Sequence, residues 1–382
     1  MASVAEILEG RGVCICAGSG GVGKTTTSAA LAAGLAARGK KVAVLTIDPA
    51  KRLADSLGLK ELQNEPSRVN PKLFDDAGVE MRGELWAMML DAKATFDELV
   101  RKHAPDDETR DRILANRIYR QISNALAGSQ EYMAMEKLFE IHQSGDFDFL
   151  VLDTPPSRNA LDFLDAPKRL TQFIEGRGMQ MFIKPTGLAT KVVGRGSSMA
   201  MGVLKKITGL DLLTDLSEFF QAMSGMVDGF RERAKRVNEL LRDPATSFLI
   251  VCGPQGEPIE EAVYFHRKLV EAKLPVGGVI VNKVHYETEE DLSEGRVEGE
   301  LEGLLGADLA ERVAANFTDY QALAQRDARN VDHLARELKA KRVIRVPYMD
   351  EDIHDLEGLL KIDRYLFATA AEREAMAAGQ AA

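Results

Sequence analysis

Short, wholly apolar runs punctuate this chain at wide intervals. Val13-Cys14-Ile15-Cys16-Ala17 runs into a glycine cluster, and Lys41–Ile47, with Val42, Ala43, Val44 and Leu45, ends at Asp48-Pro49. Leu85–Leu90, Phe149–Leu152 before Asp153, Phe248–Val251, Val279–Val281 and Val343–Val346 repeat the pattern. Runs this short, with no polar alternation, predict strands buried on both faces. Between them the periodicity is helical. Lys24 to Arg38 is rich in Ala, Leu and Thr and stops at Gly39, a helix with a glycine at its C-terminus. Strands separated by helices predict an α/β fold, a doubly wound, mostly parallel sheet covered on both faces.

Two stretches depart from that alternation. Residues at about 92–145 and 160–243 read as helical, and no linker separates them from the rest. They are expected to form a helical subdomain inserted into a single domain spanning 1–382. Within the second, Leu212, Leu213, Leu216, Phe219, Phe220, Met223, Met226, Val227 and Phe230 recur at three- and four-residue steps, an amphipathic helix pattern. The Ala-rich tail, Ala370 to Ala382, is expected to fray.

Composition narrows the function classes. Of 382 residues, 45% are hydrophobic and 28% charged, the profile of a globular domain with a substantial core. A net charge of −10 gives no electrostatic footprint for phosphate backbones, so nucleic acid is not the expected partner. Cys14, Cys16 and Cys252 do not form a CxxC metal frame and are expected as buried, reduced thiols. No signal peptide and no membrane-spanning run is present, which predicts a cytoplasmic protein with any membrane role peripheral.

The glycine cluster carries the chemistry. Gly18-Ser19-Gly20-Gly21-Val22-Gly23-Lys24-Thr25 meets the spacing G-x-x-x-x-G-K-T, after a strand and at the start of a helix. Glycines let backbone N–H groups converge on phosphate oxygens, and the helix dipole favours the anion. Lys24 would reach the β- and γ-phosphates of ATP, and the Thr25 hydroxyl would complete a Mg2+ shell. Asp153 and Asp48 close strands at the carboxyl edge of the sheet, where ligands bind in such folds. Asp153 would hold Mg2+, and Asp48 would orient or deprotonate the attacking water. Asn282 follows another strand and could read an adenine edge.

These segments resemble the deviant Walker A class of P-loop NTPases that contains ArsA, MinD, ParA and the nitrogenase iron protein. The resemblance is carried by Gly18 to Thr26, by Asp48-Pro49-Ala50-Lys51-Arg52-Leu53-Ala54-Asp55-Ser56, and by Asp153-Thr154-Pro155-Pro156-Ser157-Arg158-Asn159-Ala160-Leu161. The last two look like the switch I and switch II segments of the ArsA branch. Val281-Asn282-Lys283 and Val346-Pro347-Tyr348 look like its adenine-binding segments. That branch includes the arsenite-pump ATPase and the ATPase that delivers tail-anchored membrane proteins. The resemblance implies an ATPase using ATP and Mg2+. It implies a phosphate cradle of Gly20, Gly21, Val22, Gly23, Lys24, Thr25 and Thr26, metal contacts from Thr25, Asp48 and Asp153, and an adenine site framed by Asn282 and Pro347. It also implies a dimer, with a second copy or a paralogous subunit.

Departures from the pattern bear on the function. Ser19 stands where the class has a lysine that reaches across the dimer, so Lys51, Arg52 or a paralogous subunit is expected to supply that charge. Arg158 and Asn159 replace the usual glycine and histidine of switch II, and neither an arsenite cluster nor paired zinc cysteines is present. Met179, Met181, Met199, Met201, Met223 and Met226 are six of the fourteen methionines. Such side chains suit an adaptable groove for a hydrophobic or membrane-protein client, or else pack the subdomain. The alternatives are the motor of an anion pump or other membrane complex, and a nucleotide-gated scaffold.

Overall fold

In the computed structural model the apolar runs assemble into one eight-stranded sheet. The strands are β1 Val13–Ala17, β2 Lys41–Thr46, β3 Ser67–Arg68, β4 Glu84–Met89, β5 Phe149–Asp153, β6 Thr246–Cys252, β7 Val276–Val284 and β8 Val343–Pro347. The structure describes residues 3–48, 52–122, 129–154, 218–219, 221–222, 225–287, 294–339 and 342–380. Among these, the helices in chain order are α1 Val4–Leu8, α2 Lys24–Ala37, α3 Arg52–Ser56, α4 Lys72–Asp76, α5 Ala92–His103, α6 Asp107–Ala115 and α7 Arg117–Ile122. They continue with α8 Ser129–Ser144, α9 Val227–Arg242, α10 Gly256–Glu271, α11 Glu294–Leu305, α12 Ala307–Glu337, α13 Leu356–Phe367 and α14 Ala370–Gln380. None is long and apolar enough to cross a membrane.

The strand order is β3-β4-β2-β5-β1-β6-β7-β8, parallel throughout except for the β3–β4 pair. The chain starts in the middle at β1 and moves out through β2 and β4. It returns to β5 beside β1, then crosses to β6, β7 and β8. This reversal is the switch point of a doubly wound fold. β3 escaped the sequence reading because it is two polar residues long and is defined by its antiparallel pairing rather than by an apolar run.

The chain divides into two compact units. One comprises Met1–Met89, Ser144–Ala160 and Arg242–Ala382, and the other Leu90–Gln143 and Leu161–Leu241. In the first, alternate residues of the strands serve opposite faces. Cys14, Cys16, Val42, Val44, Val151, Leu249 and Ile280 join a core with α1, α2 and α13, while Ile15, Leu45, Leu152 and Ile250 are also buried.

In the second unit, Phe96 stacks on Tyr119 and on Phe230, with ring centroids 5.7 and 5.9 Å apart. Arg233 forms a buried ion pair with Glu136 and lies 5.0 Å from the centroid of the Phe139 ring. Of the amphipathic set, Phe219, Met226 and Phe230 are buried. Leu212, Leu213, Leu216, Phe220 and Met223 lie outside the described residues, as do Met179, Met181, Met199 and Met201.

The tail differs from expectation, because α14 is a capped helix. Thr369 and Glu372 form a capping box: Glu372 Oε2 accepts from the Thr369 backbone N–H at 2.8 Å, and Thr369 Oγ1 accepts from the Glu372 N–H at 3.3 Å. The buried Arg373 guanidinium donates to the carbonyls of Tyr365 and Ala368, tying α14 to the end of α13. Alanine composition hid these caps.

Helix α2, which opens at the glycine cluster, is held by α13 through one small residue. A Cβ on Gly34 would fall inside the van der Waals shells of Asp363 and Phe367. Arg38 completes the seam, donating to Gly34 O and Asp363 Oδ1, each at 2.8 Å, with its guanidinium 3.8 Å from the Phe367 ring centroid. Alanine is ordinarily the better helix former by roughly 1 kcal/mol. Here the order reverses: Gly34→Ala should destabilise the protein by about 1–3 kcal/mol, the cost of overpacking a close seam, as measured by urea denaturation.

Candidate functional site

Strand register builds the site from below. Asp153 closes β5 with Cys16 of β1 on one side and Thr46 of β2 on the other. Thr46 Oγ1 donates to Asp153 Oδ2 at 2.9 Å. Thr25, in the first turn of α2, donates to the same oxygen at 2.7 Å. Asp153 is fully buried, and its other oxygen, Oδ1, is buried without a hydrogen-bond partner. Thr46 Oγ1 also accepts from the Asp48 N–H at 3.2 Å, so one hydroxyl links the two acids. Thr154 donates to Cys16 O at 2.9 Å and fixes the chain as it leaves β5.

The glycine loop between β1 and α2 wraps over this joint. Gly21 and Gly23 have φ of 76° and 89°, in the left-handed region that favours glycine. At Gly23 space enforces the same choice, since an added Cβ would collide with the Asn282 side-chain nitrogen. Asn282 is buried and donates through Nδ2 to Val22 O at 2.9 Å. The buried Lys24 donates to Ser19 O at 2.6 Å. Burial lowers the Lys24 pKa, opposed by the charges of Asp153 and Asp48.

Above the loop lies a cleft of about 520 Å³. Gly21, Gly23, Lys24, Thr25, Thr26, Asp48, Asn282 and Pro347 all line it. Gly20 and Val22 do not: Gly20 is exposed, while the Val22 side chain is buried and its carbonyl receives Asn282. Asp153 sits beneath the cleft, reaching it through Thr25. Arg52 lines the cleft and is exposed, whereas Pro49, Lys51 and the segment from Pro155 to Leu161, with Arg158 and Asn159, lie outside the described residues.

Sequence reading missed Thr46, and it gave Thr154 and Lys283 no role beyond membership of their segments. Thr46 had a signal, a polar residue closing an otherwise apolar strand. Lys283 lay within the segment Val281-Asn282-Lys283 but received no role of its own, because its place follows from a break in the register of β7. The thiols fall elsewhere: Cys14, Cys16 and Cys252 are buried and unbridged, and burial raises Cys14 well above the ordinary thiol range and Cys252 to about 12.

Burial pushes the Asp153 carboxyl up to about 6. The hydrogen bonds from Thr25 and Thr46 and the Lys24 charge pull it down, and Asp48 adds to the rise. A carboxyl raised from 3.8 binds more protons in the folded than in the unfolded chain between those values. Its contribution to stability is therefore present below about pH 4 and is lost as pH rises through about 6. Asp153→Asn should flatten that slope and stabilise the ligand-free protein at pH 8 by about 1–3 kcal/mol. Denaturation at a series of pH values measures both effects.

Comparison with known proteins agrees with this geometry. The model of the family described as "Anion-transporting ATPase" matches residues 12–368. The chain is 25% identical over 282 residues to the ATPase GET3A of Arabidopsis thaliana, covering 72% of this chain and 67% of that protein. It is 25% identical over 270 residues to the ATPase ARSA2 of Chlamydomonas reinhardtii, covering 70% and 66%. It is 28% identical over 270 residues to the ATPase GET3 of Rhodotorula glutinis, covering 70% and 69%. The match thus spans about two thirds of the length of these relatives. With the phosphate-loop geometry and the doubly wound sheet, the match over 12–368 makes this chain a member of the ArsA-type anion-transporting ATPase family.

Proposed function

We propose that the cleft binds Mg-ATP and that this chain hydrolyses it to drive a dimer through alternating states that hold and release a hydrophobic or membrane-protein client. The observation that carries the nucleotide site is the joint of Thr25, Thr46 and Asp153 beside Lys24, with a buried carboxylate oxygen lacking a donor. A desolvated carboxylate next to a hydroxyl suits a hard divalent cation. Among the described residues no group of three or more His, Cys, Asp or Glu could cage such an ion, which fits an ion whose remaining ligands are water and phosphate. Mg2+ held there by Thr25 and Asp153 would neutralise charge on the β- and γ-phosphates.

The other roles follow from position. A Thr25 hydroxyl that gives its proton to Asp153 keeps its lone pairs for the cation. Lys24 exchanges the Ser19 carbonyl for phosphate oxygens, a stronger charge-assisted acceptor. Backbone N–H groups from Gly20 to Thr26 cradle the phosphates. Asp48 lines the cleft with its backbone pinned to Thr46, and it orients the attacking water. Asn282 has its amide nitrogen committed to Val22, so it meets the base through its carbonyl oxygen. That acceptor matches the 6-amino group of adenine and not the 6-oxo group of guanine. Pro347 lines the cleft beside it.

Family membership supports the dimer and the client. A pump motor is the second reading, favoured by the description of the family model as anion-transporting. Cys14, Cys16 and Cys252 are all buried, which does not suit an arsenite trap. Pulldown from cells separates the readings by what accompanies the chain: a hydrophobic segment, or an integral membrane protein.

Two substitutions test the site. Lys24→Ala should abolish binding of a fluorescent ATP analogue, and wild-type affinity would refute the phosphate assignment. Asp48→Asn should leave ATP affinity nearly intact while slowing single-turnover hydrolysis by about 10²-fold or more; an unchanged rate would reduce Asp48 to a turn residue.

A further inference from the structure

We propose that Lys283 supplies a second positive charge to the phosphates from within the same chain, offsetting the lysine that the loop lacks at Ser19. The proposal rests on the nucleotide reading of the cleft. Its starting point is backbone geometry. The pairing of β7 with β8 shifts register between Val281 and Val284, and inside that break Lys283 has φ of +64°. A left-handed lysine is an uncommon, costly conformation that persists only where its neighbours dictate it.

The neighbours do so from both sides. Before it, the buried Asn282 is anchored to Val22 O. After it, the carbonyl of Val284 accepts from the Tyr348 N–H at 2.9 Å. The His285 N–H and ring nitrogen Nδ1 lie 3.1 and 2.7 Å from Asp327 Oδ2, and Asp327 is fully buried. The His285 ring also stacks on Tyr348, with centroids 5.3 Å apart.

This framework delivers the Lys283 ammonium to the glycine loop. Nζ donates to Gly21 O at 3.3 Å, and both residues line the cleft. Lys24 makes the same kind of contact at Ser19 O. Two ammonium groups therefore rest on carbonyls of one loop. The bond made by Lys283 is long and exposed, so it is weak and readily exchanged. A triphosphate arriving in the cradle offers anionic acceptors at the same end of the cleft, and a charge-assisted bond is roughly twice as strong as a neutral one. Fixing the charge on a strand break, rather than on a mobile loop, keeps it at the site before nucleotide binds.

Titration of the full chain, with Mg2+ present, against adenosine, AMP, ADP and ATP tests this. In Lys283→Met the loss of affinity should grow with phosphate number: none for adenosine, least for AMP and about tenfold or more for ATP. Lys283→Arg should recover most of it. Lys283→Gly should show the same ATP loss with an unchanged or higher melting temperature, because glycine accepts the left-handed φ. An equal loss for all four ligands would make Lys283 a brace for the loop or a platform for the base and overturn the proposal, as would unchanged ATP affinity. Failure of the wild-type chain to bind ATP would instead overturn the nucleotide reading itself.

Discussion

One desolvated carboxylate organises the nucleotide-binding unit. Asp153 is buried at the centre of the sheet, where each neighbouring strand is already committed to its own hydrogen bonds. Burying a carboxylate there is costly unless donors and charge compensate. Donors come from Thr46 on the adjacent strand and Thr25 in the first turn of α2, and charge from the nearby ammonium of Lys24. Compensation is incomplete, since Oδ1 has no partner. The glycine loop, the second strand end and the start of α2 are thereby held around one buried carboxylate with an unpartnered oxygen.

The sheet was legible because its strands are buried on both faces and therefore read as continuous apolar runs. The phosphate loop was legible because its glycines and lysine have a fixed spacing. What escaped depends on non-local contact. Thr46 matters only because register sets it beside Asp153, a residue more than a hundred positions away. Lys283 matters only because β7 breaks register, and α14 is held by caps that composition conceals. Asn282 was singled out for a base, yet its nearest duty is to the loop carbonyl of Val22. Residues 49–51 of the switch I segment, and the switch II segment after Thr154 with Arg158 and Asn159, lie outside the described residues.

The helical unit solves a different problem. Glu136 and Arg233 are buried together, with Tyr132 donating to the same carboxylate at 3.3 Å. Burial raises the Glu136 pKa, and the Arg233 charge opposes the rise. Such a pair adds little net stability over an apolar one, but removing one partner strands the other. It links α8 to α9 through a contact that neither helix can lose without burying an unpaired charge.

Gly23 and Asn282 together constrain what this chain can carry at either position. The loop glycine is required by its left-handed φ and again by the amide nitrogen lying over it. The residue at 282 thus adds to the constraint at 23, although more than 250 positions separate them. A larger side chain at 282 would push the loop off its strand, and a Cβ at 23 would evict the amide. The strand end and the phosphate loop are thus fitted to each other through one amide and one missing methyl.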